Sequence, residues 1–97
     1  MFRDSNEQTL GEVIREFLRS YGLEKKISEQ TVISKWEEVT GPMISKYTRN
    51  IRIRNHTLYI EISSSVVRNE LSYAKEQLIK ALNDAAGKEV VKKIVIR

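Results

Sequence analysis

Apolar positions near the start of the chain recur at steps of three and four residues, which is the spacing of a helix with one buried face. This stripe spans residues 10–21, and Gly22 stands after it, where glycine commonly ends a helix. Before the stripe, Ser5 and Gln8 have the spacing of a capping box, in which two side chains satisfy the first backbone N–H groups. The sequence therefore predicts a first helix over residues 6–21.

A second apolar stripe, which includes Trp36, predicts another helix over residues 28–39, separated from the first by a short link at residues 23–26. Gly41 and Pro42 interrupt this helix, because proline has no backbone N–H and is tolerated only in the first helical turn. Apolar residues beyond the proline predict one or two further helical turns before the chain becomes extended.

Strict alternation of apolar and polar positions over residues 49–62 is typical of a strand pair with one buried face. A two-residue turn at Asn55 and His56 gives a register in which every apolar residue faces another, and a slip of one residue would turn the aliphatic side chains toward water. The predicted pairs are Arg54 with Thr57, Ile53 with Leu58, Arg52 with Tyr59, and Ile51 with Ile60. The sequence thus predicts a β-hairpin with one aliphatic and one polar face.

Three serines at residues 63–65 offer an N-cap, and a long apolar stripe predicts the next helix over residues 65–86, with Gly87 at its end. Residues 91–97 alternate again and predict a last strand. The order of helix, helix, hairpin, long helix and strand predicts an α+β fold over residues 1–97. We expect a single domain in which helices cover one face of a small three-stranded mixed sheet.

Positive charge is concentrated in the predicted hairpin. Residues 39–60 hold four basic side chains and no acidic one, whereas residues 1–38 hold six basic and eight acidic, and residues 61–97 hold seven and five. Alternation places the hairpin arginines together on the face that helices leave open, which is the footprint of a surface that binds polyanions. The predicted nucleic-acid contacts are Lys46, Arg49, Arg52, Arg54, Tyr59, Lys92, Lys93 and Arg97. A second interpretation stays open, because charged edge strands also protect a sheet from aggregation.

Two aromatic residues bear on this surface. Tyr59 is predicted to point outward opposite Arg52, where it either forms a cation–π pair that stabilises the hairpin or offers a platform on which bases stack. Trp36 has the spacing of a core residue, so we expect it to be buried with its indole N–H bonded to a partner.

No pattern of catalytic chemistry accompanies the basic surface. Cysteine is absent and His56 is the sole histidine, so the sequence predicts neither a metal site nor a cofactor. The lack of cysteine favours an intracellular, cytoplasmic protein. Residues 1–6 have no apolar segment typical of a signal peptide, and no apolar run approaches the ~20 residues that cross a bilayer, so no membrane partner is predicted.

Several motifs occur along the chain in a recognisable order. They are W-x-x-x-x-G at residues 36–41, T-L-Y-I-E-I-S-S-S at residues 57–65, R-N-E-L at residues 68–71, and I-V-I-R at residues 94–97. In this order they resemble the DciA-like family, small bacterial proteins that assist loading of the replicative helicase. The resemblance implies a K-homology-like fold, binding to DNA, and contact with the replicative helicase.

Two departures from the family pattern stand out. Val66 and Val67 occupy the place where many members carry a tryptophan. No G-x-x-G motif interrupts the predicted helix after the hairpin, and K-homology domains clamp the nucleic-acid backbone with that loop. The resemblance in fold therefore does not bring that clamping mechanism with it.

The sequence leaves three functional hypotheses. The first is a non-enzymatic DNA-associated accessory protein, whose partners are the replicative helicase and single- or double-stranded DNA, or RNA. The second is a protein–protein interaction adaptor without direct nucleic-acid binding, in which the arginines meet acidic side chains of a partner. The third is an enzyme, which needs a deep pocket lined by Glu37, Tyr47 and His56.

Overall fold

The computed structural model describes residues 9–97, which form six helices and one three-stranded sheet. In chain order the elements are α1 (Leu10–Ser20), α2 (Glu24–Ser34), α3 (Trp36–Thr40), α4 (Pro42–Tyr47), β1 (Thr48–Arg54), β2 (Thr57–Ile62), α5 (Ser65–Ser72), α6 (Lys75–Ala86) and β3 (Lys93–Ile96). The predicted α+β class is confirmed. Within these residues, no helix combines the length and the apolar character that crossing a membrane requires.

The first helix begins later than predicted. Thr9 is its N-cap: the Thr9 hydroxyl accepts a hydrogen bond from the Glu12 N–H at 3.1 Å, and the Glu12 carboxylate accepts one from the Thr9 N–H at 2.7 Å. Together the two bonds make a capping box, which sets the start of α1 at Leu10. The capping box predicted at residues 5–8 lies outside the described part of the chain.

The second predicted helix is divided into two. α2 already begins at Glu24, because the predicted link consists of good helix formers and places an acid in the first turn. It ends at Ser34, whose hydroxyl donates to the Thr31 carbonyl at 2.8 Å and so competes with the backbone pattern of the helix. α3 then brings Trp36 into the core, where the indole N–H donates to the Thr48 hydroxyl at 2.9 Å. The predicted burial of Trp36 is confirmed, whereas the predicted continuous helix is wrong.

The predicted hairpin register is confirmed at all four pairs. Asn55 and His56 form its turn with φ angles of 52° and 62°, the left-handed conformation that two-residue hairpin turns need. β3 runs parallel to β2, so the strand order is β1-β2-β3 and β2 lies in the centre. This order joins the outward side chains of all three strands into one face.

The predicted long helix over residues 65–86 is also wrong, because the chain forms α5 and α6 instead. Ser64 caps α5, with its hydroxyl accepting from the Val67 N–H at 3.3 Å. At Tyr73 and Ala74 the backbone N–H groups bond to carbonyls three residues earlier, and Ala74 leaves the helical conformation with φ −118° and ψ 19°. A continuous helix would extend about 33 Å, well beyond the roughly 13–24 Å of the strands. The break lets α5 lie over β2 and β3 while α6 turns back onto α2 and α3.

The core lies between the helices and one face of the sheet. Its buried side chains are Val32, Trp36, Leu58, Ile60, Ile62, Leu71, Leu78, Leu82, Val90, Val91 and Ile94. Asn83 on α6 holds the segment before β3, because its amide accepts from the N–H groups of Val90 and Val91 and donates to the Val91 carbonyl. One sheet face is thereby covered, and the other remains free for contact with a partner.

Candidate nucleic-acid interface

The face of the sheet that the helices leave uncovered presents three rows of side chains. They are Arg54, Thr57 and Lys93 in the first row, Arg52, Tyr59 and Val95 in the second, and Asn50, Glu61 and Arg97 in the third. We name these nine residues the open sheet face. Because β3 lies beside β2, the cations of the hairpin and of the last strand share one continuous surface.

On the open sheet face, exposed positive charges outnumber exposed negative ones. One exposed acid, Glu61, lies among four exposed cations, namely Arg52, Arg54, Lys93 and Arg97. Within residues 9–97 none of these four forms an ion pair; the pairs found there join Lys35 to Glu38 at 3.5 Å and Lys80 to Asp84 at 3.0 Å, both on helical segments. The cations of the open sheet face therefore keep their attraction for an external anion.

A shallow cleft of about 220 Å³ crosses the middle of this surface. Its lining consists of Asn50, Arg52, Tyr59, Ile60, Glu61, Val95 and Arg97. Arg52 stands on β1 and Arg97 at the end of β3, two strand spacings across the sheet and two residues along it, or ~12 Å apart, with Tyr59 on the central strand. Cations from the two edges of the sheet thus line the same cleft.

Tyr59 is not a bare stacking platform. The guanidinium carbon of Arg52 lies 5.3 Å from the centre of the Tyr59 ring, within the range of a cation–π contact. This contact supports the interpretation that the pair stabilises the hairpin. A base that approaches the ring from this side meets the guanidinium group first, and arginine guanidinium planes also stack on bases.

Three of the predicted contact residues lie outside the open sheet face. Lys46 is on α4 and Arg49 is at a β-bulge near the start of β1, both at the end of the sheet away from the turn. Lys92 precedes β3 beside the turn, where its N–H donates to the His56 carbonyl at 2.8 Å. All three side chains are exposed, and none of them belongs to the three cross-strand rows of the open sheet face.

Two cations that the sequence reasoning missed extend the basic surface around the hairpin tip. A second cleft, of about 370 Å³, lies between Arg54 and the start of α2, and Lys25, Lys26 and Glu29 contribute to its lining. Charge counted along the sequence missed these lysines because residues 1–38 are acidic overall. Only the packing of α2 against β1 brings them near the hairpin, although the adjacent lysines before a helical stripe were a visible signal.

None of the four clefts described along residues 9–97 is lined by the residues of the enzyme hypothesis. The clefts on the open sheet face, at the hairpin tip, along α2 and at the end of α6 are not lined by Glu37, Tyr47 or His56. His56 has a structural role, since its Nδ1 lies 3.0 Å from the Val90 carbonyl oxygen. Across residues 9–97, no three His, Cys, Asp or Glu side chains lie close enough together to hold a metal ion.

A family model described as "Dna[CI] antecedent, DciA" matches residues 9–96. A UPF0232 protein of Corynebacterium glutamicum (strain R) is 26% identical over 89 residues, which is 92% of this chain and 50% of that protein. UPF0232 protein Rv0004 of Mycobacterium tuberculosis (strain ATCC 25618 / H37Rv) is 26% identical over 89 residues, 92% of this chain and 48% of that protein. UPF0232 protein RHA1_ro03670 of Rhodococcus jostii (strain RHA1) is 26% identical over 93 residues, 96% of this chain and 50% of that protein. The chain spans about half the length of the curated relatives it matches.

Proposed function

Because the chain belongs to the DciA family, we propose that it is a non-enzymatic cytoplasmic accessory factor that assists loading of the replicative helicase and binds DNA through its open sheet face. The replicative helicase is the partner that the sequence motifs imply through their resemblance to this family. The family match over residues 9–96 supports that part of the proposal.

One observation carries the DNA-binding part. Four cations stand on a single continuous surface, and within residues 9–97 no carboxylate pairs with any of them. All four cations belong to the edge strands β1 and β3 or to the end of β3, where charge also protects a sheet from aggregation, so what supports binding is that they share one face without a paired carboxylate in the described part of the chain. A polyanion can contact all four cations at the same time.

The arrangement favours contacts with the phosphate backbone. Arg52, Arg54, Lys93 and Arg97 are of the types that bind phosphate oxygens, so we expect weak sequence selectivity. Arg52 lies over Tyr59 and offers a surface on which an unpaired base stacks, whereas a base in a duplex is already stacked on its neighbours. We therefore propose that single-stranded DNA is the preferred form.

Charge reversal on the open sheet face tests this proposal. The double variant Arg52→Glu with Arg54→Glu removes two of four phosphate contacts, which at 0.1 M salt should weaken binding to a labelled single-stranded oligonucleotide at least about 25-fold. The matched control is Lys80→Glu with Lys88→Glu, which changes the net charge equally but acts on exposed lysines of the α6 end. It should change the affinity much less.

Both variants should keep the wild-type melting temperature within a few degrees, because all four substituted side chains are exposed and the surface ion pair of Lys80 with Asp84 that the control removes contributes little free energy. Equal weakening by the two double variants would show that only net charge matters and would contradict a site on the open sheet face. Undiminished binding by the Arg52→Glu, Arg54→Glu variant would contradict it as well.

The helicase part needs a separate measurement. Purified replicative helicase should be retained by the wild-type chain, and also by the Arg52→Glu, Arg54→Glu variant if DNA and helicase use different surfaces. Helicase loading onto single-stranded DNA should then be reduced for this variant and normal for the Lys80→Glu, Lys88→Glu control. Retention of the helicase together with a complete lack of DNA binding by the wild-type chain would favour the adaptor hypothesis instead.

A further inference from the structure

α1 carries an apolar stripe that no other part of residues 9–97 covers. The helix has no buried residue, and the side chains of Leu10, Ile14, Phe17 and Tyr21 are 69%, 48%, 55% and 69% exposed. We name these four residues the α1 stripe. The described residues extend 58 × 21 × 20 Å, so the molecule is elongated rather than closed around this helix. A contiguous exposed apolar surface of this kind marks an interaction site.

The α1 stripe has the spacing of a helix pair. Its members are separated by four, three and four residues. This is the spacing of the two positions in each seven-residue repeat that face a partner helix in a coiled coil. The positions that flank such a seam usually carry charges that select the partner. In α1 they carry none, since they are Gly11, Val13, Leu18 and Ser20.

The sequence of α1 is complementary to itself when a second copy runs in the opposite direction. If Leu10 lies opposite Tyr21 of the second copy, Ile14 lies opposite Phe17, so each larger ring meets a smaller aliphatic side chain. On each side of the seam a smaller flanking residue then lies next to a larger one, with Gly11 beside Leu18 and Ser20 beside Val13 of the second copy. A parallel copy would instead place Phe17 against Phe17.

The charges of α1 have the same symmetry. In the antiparallel alignment Glu12 is level with Arg19 of the second copy, and Arg15 is level with Glu16. These side chains lie toward the outer surface, so each such pair contributes little free energy. They do not select the orientation, because the twofold axis of the antiparallel pair also brings Arg15 and Glu16 beside the same residues of the second copy. The apolar side chains of the stripe therefore decide the pairing.

The area of the α1 stripe sets the strength of the association. Aromatic side chains bury about 150–250 Å² each and aliphatic ones somewhat less, so the exposed part of the stripe is on the order of 450 Å² per copy. A pair would bury about 900 Å² from the stripe and more from the flanking residues, at the low end for specific interfaces. We propose that two copies of this chain associate through antiparallel pairing of their α1 stripes, as a weak and reversible dimer.

Sedimentation velocity of the full chain, over about 1–500 µM, tests the proposal. We expect a reversible shift from monomer to dimer in this range. Phe17→Glu should raise the dissociation constant at least about 100-fold, because both copies lose an apolar contact and gain a charge at the seam. The matched control, Val66→Glu, adds the same charge at an apolar residue of α5 that is 70% exposed and outside the stripe, and it should leave the dissociation constant unchanged.

Circular dichroism checks that the Phe17→Glu variant is folded. Because Phe17 is not buried, the variant should retain the wild-type spectrum and melting temperature. A chain that stays monomeric up to about 500 µM would overturn the proposal and leave the stripe to a different protein. Equal loss of the dimer in the Phe17→Glu and Val66→Glu variants would overturn it too.

Cysteine cross-linking tests the orientation, since the chain has no cysteine of its own. A mixture of Leu10→Cys and Tyr21→Cys chains should form a disulfide-linked heterodimer under mild oxidation, because the antiparallel pair places these positions side by side. Neither variant alone should cross-link, because like positions are then about 16 Å apart along the axis, well beyond the reach of a disulfide. Cross-linking of Leu10→Cys with itself would overturn the antiparallel arrangement.

Discussion

Removing two charges from the open sheet face should halve the salt dependence of DNA binding. The perturbation is Arg52→Gln with Arg54→Gln, which leaves Lys93 and Arg97 as the remaining cations of the face. Each phosphate contact on a single strand contributes about −0.7 to the slope of log affinity against log salt concentration. Four contacts therefore give a wild-type slope near −2.8, and two give a slope near −1.4. Between 50 and 200 mM salt, wild-type affinity should fall about 50-fold and that of the variant about 7-fold.

The assay is fluorescence anisotropy of a labelled single strand of mixed sequence, titrated at about five salt concentrations. Lys80→Gln with Lys88→Gln is the matched control, because it removes the same charge from exposed lysines outside the open sheet face. Its slope should remain near that of the wild-type chain. The reasoning is refuted if the wild-type slope is close to zero, or if both double variants change the slope equally.

Three further substitutions test other parts of the account. Glu61→Gln removes the acid from the open sheet face and should strengthen oligonucleotide binding about 2–5-fold in the same anisotropy assay, with weaker binding as the contradicting result. Asn83→Ala deletes three hydrogen bonds to the backbone before β3 and should lower the free energy of unfolding by about 2–4 kcal/mol, measured by urea denaturation; an unchanged midpoint would contradict this role. Gly87→Ala forces a side chain into a residue with φ of 80° and should cost about 1–2 kcal/mol by the same measurement, whereas Gly11→Ala, within α1, should not destabilise the chain.

The hairpin could be predicted residue by residue because two independent signals specify it. Alternation with a period of two decides which side chains face the core, and Asn55 with His56 supplies a turn of the length that aligns the aliphatic pairs. The exposure of Arg52 and Arg54 follows from the same pattern. The sequence pattern does not predict the strand order. Lys93 joins the arginines on one face because β3 pairs with β2.

The helix boundaries were less accessible because tertiary packing decides them. The apolar stripes on both sides of Lys35 and of Tyr73 are compatible with unbroken helices, so periodicity alone could not reveal either break. The break at Lys35 allows the Trp36 side chain to reach Thr48. The break at Tyr73 keeps the helices within the length of the short sheet. The placement of Lys25 beside the hairpin tip was hidden for a related reason, since it depends on how α2 packs against β1.

The most direct test of a DNA-binding sheet face is to map the contact by NMR. A ¹⁵N-labelled chain is titrated with an unlabelled single-stranded oligonucleotide, and the backbone amide shifts are followed residue by residue. The account predicts that the largest shifts occur in β1, β2 and β3, at Arg52, Tyr59 and Lys93 among others, with little change along α6. Shifts confined to the helices, with the three strands unaffected, would contradict it.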